Sequence, residues 1–482
     1  MVGLADFPVE LIRAVCSQLC IENYNGGHPD ISRLSRTCRR LRDVIQPLVF
    51  TAFAPIGHVP LCPQILQLTH TLSLRPDLAH CLEYIDLAGV FSEDPLSKND
   101  IDLLNSIITK LDFRPLAWGA FSNPNPLPVI ELLLLHCPNL VRLELALSEE
   151  WRPLFLPAIY RRQASANNNN NTGTPTSILP RLVTLTLAHH CITRYRWELG
   201  LPSFLTILRA AAPNLGYLST DNPGGEIQAA TTMLGHSLYP PLANLVHLEF
   251  DRVCSLQPDV LRGIVAAAPS LQVFALSAGD SWDDLDECTV VDVWEAVWLR
   301  RGTLREVRLD IVYNKSPGEN RGARLELELG GLGWSGSLEE FRRLEILKVG
   351  HYALRVLEEA CRRSENGVDG GVHGDGFVEN LLPSSIREVT FWEPEGRWAV
   401  ALQLLAEAVA WNPERYPDLL SVVVAPVPDN EQPREWKDKD EWLRSSAELE
   451  KQFQRAGVRF EAQGVRGQEP AGPFEMQNPF QF

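Results

Sequence analysis

The sequence predicts an α/β chain in which a short helical module precedes an irregular solenoid, with parallel strands inside and helices outside. Three observations predict it: a length of 482 residues, a six-residue apolar theme that recurs ten times after residue 80, and two apolar stripes at helical spacing before residue 50. So long a chain exceeds one compact core, and a theme repeated this often favours stacked units. An ordinary parallel α/β sheet uses similar alternation and is the rival fold.

Composition narrows the function classes. The apolar share is 45%, and no run approaches the roughly 20 uncharged apolar residues of a membrane span. Asp6 and Glu10 stand where a secretory leader would carry basic residues, so a cytoplasmic and/or nuclear protein is expected, with no membrane partner. The ten cysteines are scattered without a C-x-x-C pair, which predicts small buried hydrophobes in a reducing compartment, and neither a metal site nor a cofactor is expected. A formal net charge of −17 repels phosphate backbones, so no nucleic acid is expected either.

The first element is the helix in "LADFPVELIRAVCSQLC". Asp6 and Glu10 suit its positive end, Pro8 costs no hydrogen bond in a first turn, and Leu11, Ile12, Val15 and Leu19 run along one side. That stripe either packs into the chain's own core or is kept for another chain. After the loop "CIENYNGGHPD", Ile31, Leu34, Cys38, Leu41, Ile45 and Leu48 draw a second stripe beside Arg33, Arg36, Arg39, Arg40 and Arg42. A module of residues 1–52 is near the lower size limit for a self-sufficient core, which makes burial by a partner plausible.

From residue 53 to 460 the chain is read as the solenoid. Its theme places an apolar residue three and then five positions before two more: "LEYIDL" at Leu82, "LVRLEL" at Leu140, "LVTLTL" at Leu182, "LGYLST" at Leu215, "LVHLEF" at Leu245, "LQVFAL" at Leu271, "LREVRL" at Leu304, "LEILKV" at Leu344, "IREVTF" at Ile386 and "LLSVVV" at Leu419. Only the copy at Leu215 breaks the rule, at Thr220. The alternation at the end of most copies predicts a strand with one buried face, and segments such as "PDVLRGIVAAAPSL" predict a helix ended by a proline turn before it. A lone helix–turn–strand unit cannot bury both its elements, so neighbours must stack. Low-complexity inserts near 163–177 and 364–376 are expected to be disordered and residues 461–482 to form a flexible tail, while Trp436, Trp442, Leu443, Leu449 and Phe453 predict a last helix between Pro433 and Ala456, stopped at Gly457, with "VRFEA" as an edge strand.

The recurring string resembles the L-x-x-L-x-L core of leucine-rich repeats, with copies spaced irregularly, 26 residues from Leu245 to Leu271 but 42 from Leu344 to Ile386, and the family's asparagine after the strand mostly missing. That resemblance implies a horseshoe. The amino-terminal stretch resembles an F-box: Phe7 stands where the family's L-P-x-E-L opening has leucine, Pro8, Glu10 and Leu11 follow, and Leu34, Cys38, Arg39, Leu41 and Arg42 match its L-x-x-x-C-R-x-L-R stretch. Its interhelical loop is longer than typical. The F-box resemblance implies a substrate-recognition subunit of a cullin-RING (SCF-type) ubiquitin ligase. The module would dock on a Skp-family adaptor, and through it a cullin, while the repeats hold an unknown protein substrate. By the same resemblance Phe7, Pro8, Leu11, Ile12, Leu34, Cys38 and Leu41 would meet the adaptor. The alternative is a repeat scaffold for protein interactions without a role in ubiquitination.

In each repeat string the third and fifth residues should face away from the core, among them the pairs Val273 and Ala275, and Glu388 and Thr390. Tyr84, Arg142, Tyr217, His247 and Arg308 are the candidate substrate anchors on that face, since aromatic residues and arginine dominate interface energies. No catalytic residue is expected. "GWSGS" at Ser335 lacks the last glycine of a nucleophile elbow, "GGVHGDG" near Gly370 lacks a phosphate-loop lysine, and "HHC" at His189 follows a strand as a turn would.

Overall fold

The computed structural model describes residues 6–21, 29–55, 61–88, 96–113, 127–147, 155–156, 177–189, 207–212, 214–221, 240–253, 256–278, 288–311, 338–350, 353–354, 356, 382–392, 398–425 and 439–462. The inserts near 163–177 and 364–376, Ser177 excepted, lie outside these residues, as do 463–482.

Three helices open the chain: α1 (Val9–Ile21), α2 (Pro29–Ser35) and α3 (Arg39–Val49). The Pro8 carbonyl accepts the N–H groups of Leu11 and Ile12, each at 3.1 Å, and Glu10 sits in the first turn of α1, where the helix dipole favours an acid. The apolar stripe from Ile31 to Leu48 is carried by two helices. Thr37 Oγ1 donates to the Leu34 carbonyl at 2.8 Å, and Cys38 leaves the helix with an extended backbone to cap α3, its Sγ accepting from Leu41 N at 3.5 Å. Cys38 thus breaks the helical period between Leu34 and Leu41. Ile12, Cys16, Ile31, Leu41, Val44 and Ile45 form the module's own core, with Val9, Leu34, Cys38, Leu48 and Val49 packed around it.

The chain divides into two compact units, residues 1–246 and 247–482. After the three helices, the first unit holds β1 (Ala52–Phe53), α4 (Leu61–Leu74), α5 (Pro76–Ala79), β2 (Tyr84–Leu87), α6 (Lys98–Lys110), α7 (Leu127–Leu135), β3 (Arg142–Leu147), β4 (Thr184–His189) and β5 (Tyr217–Asp221). Its strands pair in parallel and in chain order, with Tyr84, Arg142, Thr184 and Tyr217 in register. The second unit holds β6 (His247–Val253), α8 (Pro258–Ala267), β7 (Val273–Ala278), α9 (Val290–Trp298), β8 (Glu306–Asp310), β9 (Ile346–Gly350), β10 (Glu388–Trp392), α10 (Trp398–Trp411), β11 (Ser421–Ala425), α11 (Lys439–Arg455) and β12 (Arg459–Ala462). These strands too are parallel and sequential. Parallel neighbours need a crossover between them, so within each unit every strand is laid beside its predecessor by a helix or loop. The fold is α/β and solenoid-like. Helices of neighbouring crossovers pack together, α4 on α6 and α7, α8 on α9 and α10 on α11.

All ten copies of the theme contribute a strand, and their leucines build the cores: Leu140, Leu143 and Leu145, like Leu182, Leu185 and Leu187, are wholly enclosed. Thr220, in the copy that breaks the rule, is enclosed as well, and its hydroxyl has no hydrogen-bond partner among the described residues. Ala275 and Thr390 are buried, although their strand positions point away from the core. Both are short, and register neighbours flank each one: Glu249 and Arg308 beside Ala275, Lys348 and Val423 beside Thr390.

Two devices join repeats beyond leucine packing. A polar residue just before the string's first apolar residue reaches back to the preceding repeat: Asn139 Nδ2 donates to the His80 carbonyl at 2.8 Å, Asn214 Nδ2 to that of Pro180, and Ser385 Oγ to that of Leu344 at 2.9 Å. In α7 the buried Glu131 carboxylate accepts the N–H groups of Phe155 and Leu156 at 2.8 and 3.0 Å, which satisfies two donors that no strand serves. At the carboxyl end Gly457 takes φ +76° just past α11, a left-handed conformation that glycine adopts without strain. β12 follows, with Phe460 stacked on Phe453 at 5.4 Å, and reaches Ala462, two residues beyond the expected end of the array.

Candidate functional site

The described residues of α1 present two faces. Ile12 and Cys16 are fully enclosed in the module core, where burial raises the Cys16 thiol pKa. On the adjoining face Leu11 is 53% exposed and Val15 48%, one helical turn apart, and Phe7, just before the helix, is 42% exposed. Arg40 Nη2 donates to the Phe7 carbonyl at 3.1 Å, so the start of α3 is tied to the residue that begins this apolar strip.

The seven residues that the F-box resemblance points to therefore separate. Phe7, Pro8 and Leu11 are exposed, and Leu34 and Cys38 are half-buried against the module core. Ile12 and Leu41 lie within that core, because their helix positions face the other two helices, and they hold the module together. Val15 belongs with the exposed group, and its spacing of four from Leu11 was the signal for it. The side chain of Leu19 lies outside the described residues. Completing the burial of Phe7, Leu11 and Val15 is worth roughly 2–4 kcal/mol together, at about 1.5–3 kcal/mol for each side chain taken from full exposure.

Tyr84, Arg142 and Tyr217 share one face of the first unit. The Arg142 guanidinium lies 5.2 Å from the centroid of the Tyr84 ring and pairs with Glu144 at 2.7 Å, while the Tyr84 hydroxyl donates to Glu144 at 3.1 Å. Desolvation, then the charges of Glu144 and Asp86, push the Tyr84 pKa up. Tyr217 is two strands from Arg142, beyond Thr184. His247 and Arg308 belong to the second unit and stand two strands apart there, on β6 and β8. His247 lies 3.6 Å from Glu249, and Arg308 pairs with Glu306. On β3 and β8 the third and fifth positions thus neutralise each other, as Arg459 and Glu461 do on β12. Such a face offers alternating dipoles without a field of one sign.

His189 ends β4. Ser335 and Gly370 lie outside the described residues. Among the described residues no three His, Cys, Asp or Glu side chains gather as a metal site would require, and no helix is long and apolar enough to cross a membrane. No protein-family model matches the chain, and no curated protein matches its sequence.

Proposed function

We propose that the chain is a substrate-recognition subunit of a cullin-RING ubiquitin ligase, docking on a Skp-family adaptor through an amino-terminal F-box and holding a protein substrate on leucine-rich repeats. The observation that carries this reading is the division of α1: one face closes the module's own core, and the next keeps Phe7, Leu11 and Val15 about half exposed. Single apolar residues on a surface need no explanation, but Leu11 and Val15 one turn apart on a helix, with Phe7 just before its start, make a strip of the kind that fits a partner's groove. The sequential parallel strands support the repeat half of the reading, and the Tyr84, Arg142 and Tyr217 face is where a substrate would be held.

The test is co-purification of the full-length chain with a recombinant Skp-family adaptor. Leu11→Asp with Val15→Asp is expected to abolish it while leaving the unfolding of both units unchanged, since neither side chain belongs to a core. Leu34 is a poorer probe because it packs against the module core. Undiminished adaptor binding by the double variant would overturn the proposal and leave a repeat scaffold in its place.

A further inference from the structure

We infer that the apolar strip of α1 is one half of a two-part docking surface whose other half is cationic, so that its occupant is a protein with an apolar groove bordered by carboxylates. This rests on the adaptor-docking reading and adds the partner's chemistry to it.

Residues 1–52 carry six arginines against five acids, in a chain whose net charge is −17. Arg36, Arg39 and Arg40 are exposed, and they cluster in the turn before α3 and in its first turn. Arg40 reaches the Phe7 carbonyl, which brings this cluster to the end of the apolar strip. None of the three has a carboxylate within ion-pair distance among the described residues. On the strand faces arginines are neutralised, Arg142 by Glu144 and Arg308 by Glu306, and Arg301 pairs with Glu340.

Placement is as informative as pairing. A helix amino terminus is the positive end of its dipole, and α1, α6, α8 and α9 each put an acid there. Arg300 sits where the dipole welcomes a cation, donating to the last carbonyls of α8 at Val265 and Ala266. α3 does the reverse, with Arg39 and Arg40 side by side at its positive end and no acid in that turn. The arrangement works against the isolated module, and acids supplied from outside would reverse that. In a chain so acidic overall, a carboxylate-bordered partner is repelled elsewhere and attracted here, which steers it onto the strip.

The experiment measures association and dissociation of the full-length chain with a purified Skp-family adaptor at low and high salt. Arg36→Glu with Arg39→Glu should slow association at low salt by about tenfold or more, change dissociation by less than about threefold, and flatten the salt dependence. Arg342→Glu with Arg343→Glu is the control, since it changes the same charge at two exposed arginines of the second unit, and it should change association by less than about threefold. Acid at the amino terminus of α3 suits its dipole, so the double variant is expected to fold, and thermal unfolding checks this. Unchanged association in the double variant, or an equal loss in the control, overturns the inference. If wild type binds and Leu11→Asp does not, the adaptor reading survives that outcome; if wild type fails to bind, both fall. A labelled DNA duplex that displaces the adaptor would overturn the assignment of a protein partner.

Discussion

In the copy at Leu140 every leucine of the repeat string is enclosed, Leu140, Leu143 and Leu145 alike, whereas α1 encloses Ile12 and Cys16 and leaves Leu11 and Val15 about half exposed. A strand has two faces, and its period of two assigns each residue to one of them, so an apolar residue on the covered side is buried by construction. A helix has no such binary choice. From Leu11 to Cys16 the apolar residues of α1 span about 140° of the helix circumference, and the module core encloses only the Ile12 and Cys16 side of that arc. On the covered faces of the repeat strands apolar residues become core, and the exposed ones of the crossovers, Leu74, Leu299 and Trp411, stand singly at helix ends. In the module Leu11 and Val15 lie in line on one helix, where a partner can reach both.

That contrast can be broken most forcefully in the second unit. Phe274 is fully enclosed and meets Phe250 edge to face at 6.2 Å, so Phe274→Ala should cost about 3–5 kcal/mol by chemical denaturation, against a change within about 0.5 kcal/mol for Leu11→Ala. Similar costs at the two sites would show that the α1 strip is structural after all. Next is Glu131→Ala, which strands the Phe155 and Leu156 amides and should lower the first unit's stability by about 1–3 kcal/mol, with faster hydrogen exchange at those two amides.

The third prediction concerns pH. Desolvation first, and Lys110 second, hold the His136 pKa below its ordinary value of 6.5. The folded chain therefore binds fewer protons there than the unfolded chain, and the contribution of neutral His136, present above pH 6.5, is lost as pH falls below that value. The denaturation midpoint of the first unit should drop over that range, and His136→Gln should flatten the dependence. The smallest effect is expected in the module. Cys38→Ser replaces a weak sulfur acceptor at the cap of α3 with a strong oxygen one and should stabilise it by up to about 1 kcal/mol, read as a raised melting temperature.

Legibility in the sequence followed the same divide. The ten strands were visible because each leucine string carries its own burial pattern, and α1, α11 and the stop at Gly457 followed from local signals. The break at Cys38 was not visible, because a cysteine at a three-or-four spacing fits a continuing stripe as well as a cap. Ile12 and Leu41 looked equivalent to Leu11 in the sequence, since a stripe does not say which of its edges is covered from within. The pairing of Arg142 with Glu144 and of Arg308 with Glu306 was hidden for a different reason: alternate strand residues share a face, but whether they meet depends on rotamers. Glu131 gave no signal, because its partners are backbone amides 24 and 25 positions away.

The polar side chains at the heads of the strings at Leu140 and Leu215 have a consequence for how such a chain varies over time. Asn139 and Asn214 each fasten a strand to the turn before the preceding strand, across a separation of 59 residues in one case and 34 in the other. Alignment is decided at the strand heads, and crossover length is left free. Doubling a flexible connection costs only about 0.6 kcal/mol. Lineages can therefore lengthen, shorten or replace the crossovers while keeping the strands aligned.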